Sequence, residues 1–200
     1  MKKTITISLF FLIVILGFGG VVLAEEKEKS SWYIGFGIGT GELKVEGETM
    51  DDAFSEYPSL DVGQEVTFNF GVGAIINPKL HLGFDMSAIR QSAEGDSDST
   101  IDLQVNNYLA AITYFPMEKG LSLKAGIGVS ALVYELDTTV VDESETYSGT
   151  AFLLGIGYDF WLGKSFNLGI HAEYSKQNYS DSDAPDDTEF TSIYLSFYWF

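Results

Sequence analysis

The sequence predicts an all-β fold: eight antiparallel strands, arranged up-and-down and closed into a transmembrane β-barrel. Three observations predict it. Beyond residue 30, apolar residues alternate with small or polar ones at period two. The links between the alternating stretches are short and long by turns. Aromatic residues gather at the short-link end, and acidic residues gather in the long links.

The first 24 residues stand apart. Lys2 and Lys3 precede the uncharged run "TISLFFLIVILGFGGVVL", and Val22-Leu23-Ala24 puts small residues at −3 and −1 before "EEKEK". That is the layout of a secretory signal peptide. An uncleaved anchor helix is the rival, because the run approaches the roughly 20 residues that span a bilayer; the cleavage site favours removal. The expected organisation is a signal peptide at 1–24, a short periplasmic segment at 25–30 and an outer-membrane barrel domain at 31–200. The chain has 200 residues, a net charge of −18 and no cysteine. Lipid attachment through Cys, disulfides and thiolate metal sites are therefore excluded. Loss of residues 1–24 would bring the charge to −20, which excludes nucleic acid as a partner, since phosphate binding needs basic surface.

The first strand is "WYIGFGIGTG". Trp32, Ile34, Phe36 and Ile38 share one face, and Gly35, Gly37, Gly39 and Gly41 the other. A phosphate-cradling loop would need G-x-G-x-x-G opening a helix; strict period two points instead to a narrow lumen, where missing side chains leave room and let the wall bend. The second strand opposes Val66, Phe68, Phe70, Val72 and Ala74 to Glu65, Thr67, Asn69, Gly71 and Gly73. In the third, Leu80, Leu82, Phe84, Met86 and Ala88 oppose His81, Gly83, Asp85 and Ser87. The fourth, 101–115, begins with Ile101, Leu103 and Val105 on one face and then turns apolar on both. The fifth, sixth and seventh alternate cleanly over 121–133, 151–160 and 166–177, with Lys124, Asp159, His171, Glu173 and Ser175 on the polar face. The eighth, 189–200, is apolar on both faces, so the facing of 106–116 and 189–200 stays open.

The polarity selects the membrane form of the barrel. A lipocalin-like barrel also has eight strands but keeps an apolar interior. Here the continuous apolar face carries no charge along its middle, which suits lipid outside and a polar lumen. Closure follows, because an open edge would leave unpaired backbone groups in hydrocarbon. The short turns, 77–79, 116–120 and 162–165, carry Lys79, Lys119 and Lys164. Trp32, Trp161 and Trp199, with Phe115, Phe160 and Phe200, cluster at that end as an interfacial aromatic belt. The long links, about 42–64, 92–100, 136–148 and 178–188, hold with their flanks 22 of the 29 acidic residues.

Several segments, "SWYIGFGIGTG" at 31–41, "NNYLAAITYFP" at 106–116, "LSLKAGIGVS" at 121–130 and the terminal "LSFYWF", resemble the small eight-stranded outer-membrane barrels of the OmpX/OmpW/OmpA-barrel type. The resemblance covers residues 31–200. It implies an outer-membrane location in a Gram-negative bacterium with both termini periplasmic, and recognition of Tyr194, Tyr198 and Phe200 by the barrel-assembly machinery. Ser196 interrupts that aromatic row, and Leu195, Phe197 and Trp199 leave the opposite face unusually apolar. Unlike the full-length OmpA type, no peptidoglycan-binding domain is expected after the barrel.

Parity predicts a lumen network of Glu65, His81, Asp85, Lys124, His171 and Glu173, with Arg90 as a further inward candidate; an eight-stranded barrel is just wide enough for its side chains to fill. Those charges serve either as a paired structural network or as the lining of a narrow conduction path. His171, Glu173 and Ser175 are the residue types of acyl transfer, but their spacing of about 6.6 Å per step along one strand exceeds the roughly 3 Å of a nucleophile–base contact. No catalytic, cofactor or metal set is expected. Asp96-Ser97-Asp98, Asp181-Ser182-Asp183 and Asp186-Asp187 are fragments of oxygen-ligand cation sites, so divalent cations in the acidic loops, shared with lipopolysaccharide phosphates, are a possible partner alongside outer-membrane lipid. A monomer is expected. The resemblance to the OmpX-like group implies a non-enzymatic barrel with an envelope-structural or surface-interaction role. The alternatives are a narrow channel for small or hydrophobic molecules, which the OmpW-like resemblance implies and inward Ile75, Ile89 and Leu153 keep open, and a lipid A-modifying enzyme.

Overall fold

A computed structural model of the chain describes residues 31–55, 60–95, 99–137, 142–163 and 165–200. The expected signal peptide and the 25–30 segment lie outside the described residues, as do Asp96, Asp98 and Lys164.

Eight long strands form the wall: β1 (Trp32–Val45), β4 (Val66–Asn77), β5 (Leu80–Glu94), β6 (Thr100–Tyr114), β7 (Gly120–Asp137), β8 (Asp142–Trp161), β9 (Phe166–Tyr179) and β10 (Asp187–Trp199). The first long loop adds two two-residue strands, β2 (Glu48–Thr49) and β3 (Asp61–Val62), and one helical turn, α1 (Met50–Ala53). Each long strand pairs antiparallel with the next, and β1 pairs with both β4 and β10, which closes the cylinder. The closing register runs from Ile34 opposite Trp199 to Val45 opposite Thr188. Closure leaves no free edge, as a hydrocarbon surround demands.

Local chemistry sets the ends. Glu46 and Gly47 both adopt positive φ (51° and 86°) in the two-residue turn between β1 and β2, the backbone that matches the twist of a tight hairpin. Lys79 N–H donates to the Asn77 side-chain carbonyl at 2.9 Å across the β4–β5 turn. Thr49 caps α1 by accepting from Asp52 N–H at 3.1 Å.

Large apolar side chains point out and stay exposed, among them Ile127 at 71% and Leu154 at 56%. On a soluble protein such a band would be a liability; around a barrel it is the lipid face. The structure resolves the two open facings. In β6, Asn107, Leu109 and Ala111 point inward and Tyr108, Ile112 and Tyr114 outward. In β10, Tyr194, Ser196 and Tyr198 are buried inside while Ile193 is 62% exposed outside. Two expectations need correction. The third long link, 136–148, is mostly strand: β7 and β8 stay paired out to Asp137 opposite Asp142, a ribbon whose polar faces carry no alternation signal. Arg90 lies on the outward parity of β5 and is largely exposed, paired with Asp102 at 2.8 Å; counting two residues from inward Asp85 gives Ser87, Ile89 and Gln91, not Arg90.

Candidate functional site

The lumen is filled in layers. At the short-turn mouth, the His81 ring lies 5.4 Å from Tyr33 and 4.8 Å from Phe115, with Phe200 at 5.9 Å. Phe200 stacks on Trp161 at 4.6 Å. Trp161 and Phe200 therefore sit at the predicted end but on the inward side, lining the mouth, as does buried Phe115. Trp32 and Trp199 face outward at that end: Trp32 is 55% exposed, and Trp199 stacks on Phe36 and meets the Phe166 ring at a tilt. Lys119 stands 5.8 Å over the Trp161 ring, within cation–π range.

One layer up, His171 Nε2 is 3.3 Å from Asp159 Oδ1, and its ring lies nearly parallel to Tyr194 at 5.4 Å. Next comes the ionic centre. Lys124 Nζ contacts Asp85 Oδ2 at 2.7 Å and Glu173 Oε1 at 2.8 Å. All three are buried, and burial of charge requires partners. Two carboxylates against one ammonium leave excess negative charge, which neutral donors answer. Tyr194 OH donates to Glu173 Oε1 at 2.5 Å. The Asn69 amide donates to Asp85 Oδ1 at 3.2 Å and approaches Glu173 Oε2 at 3.5 Å. Side chains from β4, β5, β7, β9 and β10 thus meet at one point. Among the described residues Asp159 Oδ2, Ser122 Oγ and both side-chain polar atoms of Asn167 have no protein partner; they border a cavity of about 20 Å³, polar and large enough for a single water.

The glycines of the inward faces make this possible. A Cβ on Gly37 would stand 2.4 Å from the Tyr194 ring, and one on Gly157 would stand 2.3 Å from His171 Nδ1. The rings lie flat against the wall where it has no side chain.

Above the ions, Asn107 donates to Ser175 Oγ at 2.8 Å and Gln177 donates to it at 2.7 Å, while Ser175 donates to the Phe152 carbonyl at 2.9 Å. Thr188 donates to Gln177 Oε1 at 2.8 Å. At the loop end the lumen turns apolar: Leu43, Ile89, Val105, Leu132 and Phe190 pack with Tyr179, the first five at 0–2% exposure. Leu109, Ala151 and Leu153 form a second buried apolar cluster.

Of the predicted network, Asp85, Lys124 and Glu173 come together, and His171 joins through its stack on Tyr194. His81 sits in an aromatic stack instead. Glu65 precedes β4 at the loop end, where its carbonyl accepts from the Thr40 hydroxyl at 2.9 Å, and it takes no part in the ionic centre. Ile89 and Leu153 are inward as expected, but they belong to closed clusters. Asn69, Asp159 and Tyr194 went unassigned to the network; the inward parity of Asn69 and Asp159 was a usable signal, whereas that of Tyr194 was hidden by an apolar opposite face. His171 and Ser175 make no contact with one another in this arrangement: each is committed to other partners. In the acidic loops, Asp187 pairs with Lys176 at 2.7 Å, and among the described residues no group of three acidic or histidine side chains is placed to hold a metal ion.

A family model described as outer membrane protein beta-barrel domain matches residues 10–199. Comparison with curated proteins finds no match. Among solved structures, the chain is similar to Ail, the attachment invasion locus protein of Yersinia pestis, in complex with the heparin analogue sucrose octasulfate. That likeness has 18% identity and a TM-score of 0.60, covering 86% of this chain and 100% of Ail. It is also similar to Neisserial surface protein A, at 12% identity and a TM-score of 0.54, covering 86% of this chain and 99% of that one. At these identities the likeness is one of fold.

Proposed function

Because the chain belongs to the outer-membrane β-barrel domain family, we propose that it works as a closed, non-conducting and non-enzymatic barrel that presents an acidic loop surface, in an envelope-structural or surface-interaction role. The apolar plug carries this reading. Leu43, Ile89, Val105, Leu132 and Phe190 are shut off from solvent in the middle of the loop end, directly above a layer of mutually bonded polar side chains. A conduction path would have to displace both. Catalysis finds no purchase either, since Ser175 already receives two amide donors and gives its own proton to a backbone carbonyl.

In this reading the short turns and both chain ends face the periplasm and the long loops face outward. Lipid and lipopolysaccharide surround the wall, and the strand ending at Tyr194, Tyr198 and Phe200 is the segment presented to the assembly machinery. A polysulfated ligand of the kind bound to Ail does not suit this surface, because the loop regions hold 22 of the 29 acidic residues and repel polyanions.

Planar-bilayer recording of the refolded protein tests the reading. A membrane that stays silent across the voltage range is the expected result; discrete unitary steps that persist in the purified protein would overturn it in favour of a channel.

A further inference from the structure

Above the plug the loop end is hollow. Over the buried Leu43 and Leu132, the partly exposed Ile101, Leu103, Phe54 and Tyr134 line a cup of about 480 Å³. That volume lies within the range of sites that take drug-sized ligands or a few side chains. Its rim carries Glu46, Glu48, Glu145 and Asp183, one or more from each of three different loop regions, and no Lys or Arg lines it among the described residues.

The imbalance has a structural cause. The basic residues of this end lie on the outward parity of their strands and are already paired there: Lys44 with Glu42 at 3.0 Å, Arg90 with Asp102 at 2.8 Å and Lys176 with Asp187 at 2.7 Å. Nothing is left to neutralise the inner rim. Its framework is nonetheless ordered. Glu46 accepts from Asp186 N–H at 3.0 Å, tying the first loop to the last, and Tyr147 donates to Glu145.

An apolar floor beneath a ring of unneutralised carboxylates is complementary to an apolar body bearing several positive charges. We infer that this cup docks a cationic amphipathic peptide segment, with one or two apolar side chains seated against Ile101, Leu103 and Tyr134 and its Lys or Arg side chains on Glu46, Glu48, Glu145 and Asp183. The inference rests on the surface-interaction reading above and names its partner chemistry. The rim draws its carboxylates from separate loops, so the charges it meets must be spread around the apolar anchor, as they are along a peptide.

The test uses the full barrel in phosphatidylcholine nanodiscs, with empty discs as the blank. The probe is a fluorescein-labelled twelve-residue peptide of Lys and Leu with a central Trp. Saturable binding is expected. The rim variant E46Q/E48Q/E145Q/D183N should weaken it at least tenfold and flatten its salt dependence. Ala53→Trp, which fills the cup from its wall without changing charge, should weaken it comparably, and Tyr134→Lys should do so by adding a cation inside. Dodeca-lysine, which lacks the anchor, should bind weakly and equally to wild type and A53W. Heat-dependent gel mobility verifies that each variant is a folded barrel. Equal binding of the probe by wild type and A53W, or equal affinity for the probe and dodeca-lysine, would overturn the inference. Bilayer recording separates the two readings: a silent barrel that ignores the probe defeats only the docking inference, and a conducting barrel that binds it defeats only the closed-barrel reading.

Discussion

The two halves of the lumen are filled by opposite means. Near the short turns the filling is ionic and aromatic: Lys124 between Asp85 and Glu173, with His171, Tyr194 and Tyr198 laid over glycines. Near the loops it is hydrocarbon: Leu43, Ile89, Val105, Leu132 and Phe190. The difference lies in how the members depend on one another. Each apolar side chain contributes by the area and volume it fills. A buried ion contributes only while its partners are present, since a lone buried charge is costly. The lower half therefore holds only as a complete set, whereas the upper half seals side chain by side chain.

The largest expected effect tests that dependence. Lys124→Met strands two buried carboxylates and should cost about 3–5 kcal/mol of unfolding free energy, read by urea titration of the refolded barrel. The joint replacement D85N/K124M/E173Q should recover most of that loss; no recovery would mean the two halves are held alike. Next, Leu132→Ala in the plug should cost about 3 kcal/mol by opening a cavity, a loss that no change of neighbouring charge restores. Gly37→Val tests the wall beneath Tyr194, where a Cβ would meet the ring at 2.4 Å; about 1–3 kcal/mol is expected from overpacking, together with a changed tyrosine fluorescence. The smallest effect belongs to the outer surface. Arg90 holds the Asp102 carboxyl below the ordinary aspartate range through a side-chain hydrogen bond. Asp102 is thus charged in the folded protein at pH values where the unfolded chain has taken up a proton. The pair's contribution, under about 1 kcal/mol for an exposed ion pair, is complete above about pH 4–5 and is lost as pH falls through the depressed value. An Arg90→Gln variant should lack that part of the acid limb in a pH–urea series.

How much of this was legible depended on whether two faces of a strand differ in polarity. Where they do, as with the Trp32–Ile38 face against Gly35–Gly41, alternation alone assigns inside and outside. It fails where the lumen itself is apolar: Leu109 and Ala111 face inward and Ile112 and Tyr114 outward, so 106–116 reads the same on either side. Strand β10 fails for the same reason, with inward Tyr194 and Tyr198 against outward Leu195, Phe197 and Trp199. The β7–β8 ribbon is missed because beyond the bilayer nothing rewards alternation. The triad of Asp85, Lys124 and Glu173 was legible as a set of inward charges. Its geometry was not, because three strands contribute one residue each and only the register brings them level.

The seam between β1 and β10 has a bearing on the order in which the wall comes together. Ile34 and Trp199 are neighbours across it yet stand at opposite ends of the chain, so this pairing has the highest contact order in the molecule. Ring-closure entropy grows with the logarithm of the loop. Closing about 165 residues rather than a four-residue hairpin costs roughly 3 kcal/mol more. The seam is also where interlocking is dense: Phe36 stacks on Phe197 and Trp199 outside, and Tyr198 and Tyr194 rest against Gly35 and Gly37 inside. Those contacts offset the entropic handicap of so distant a pairing. They also make it a latch, which closes only when first and last strands meet in the one register that sets each tyrosine ring over a residue without a side chain.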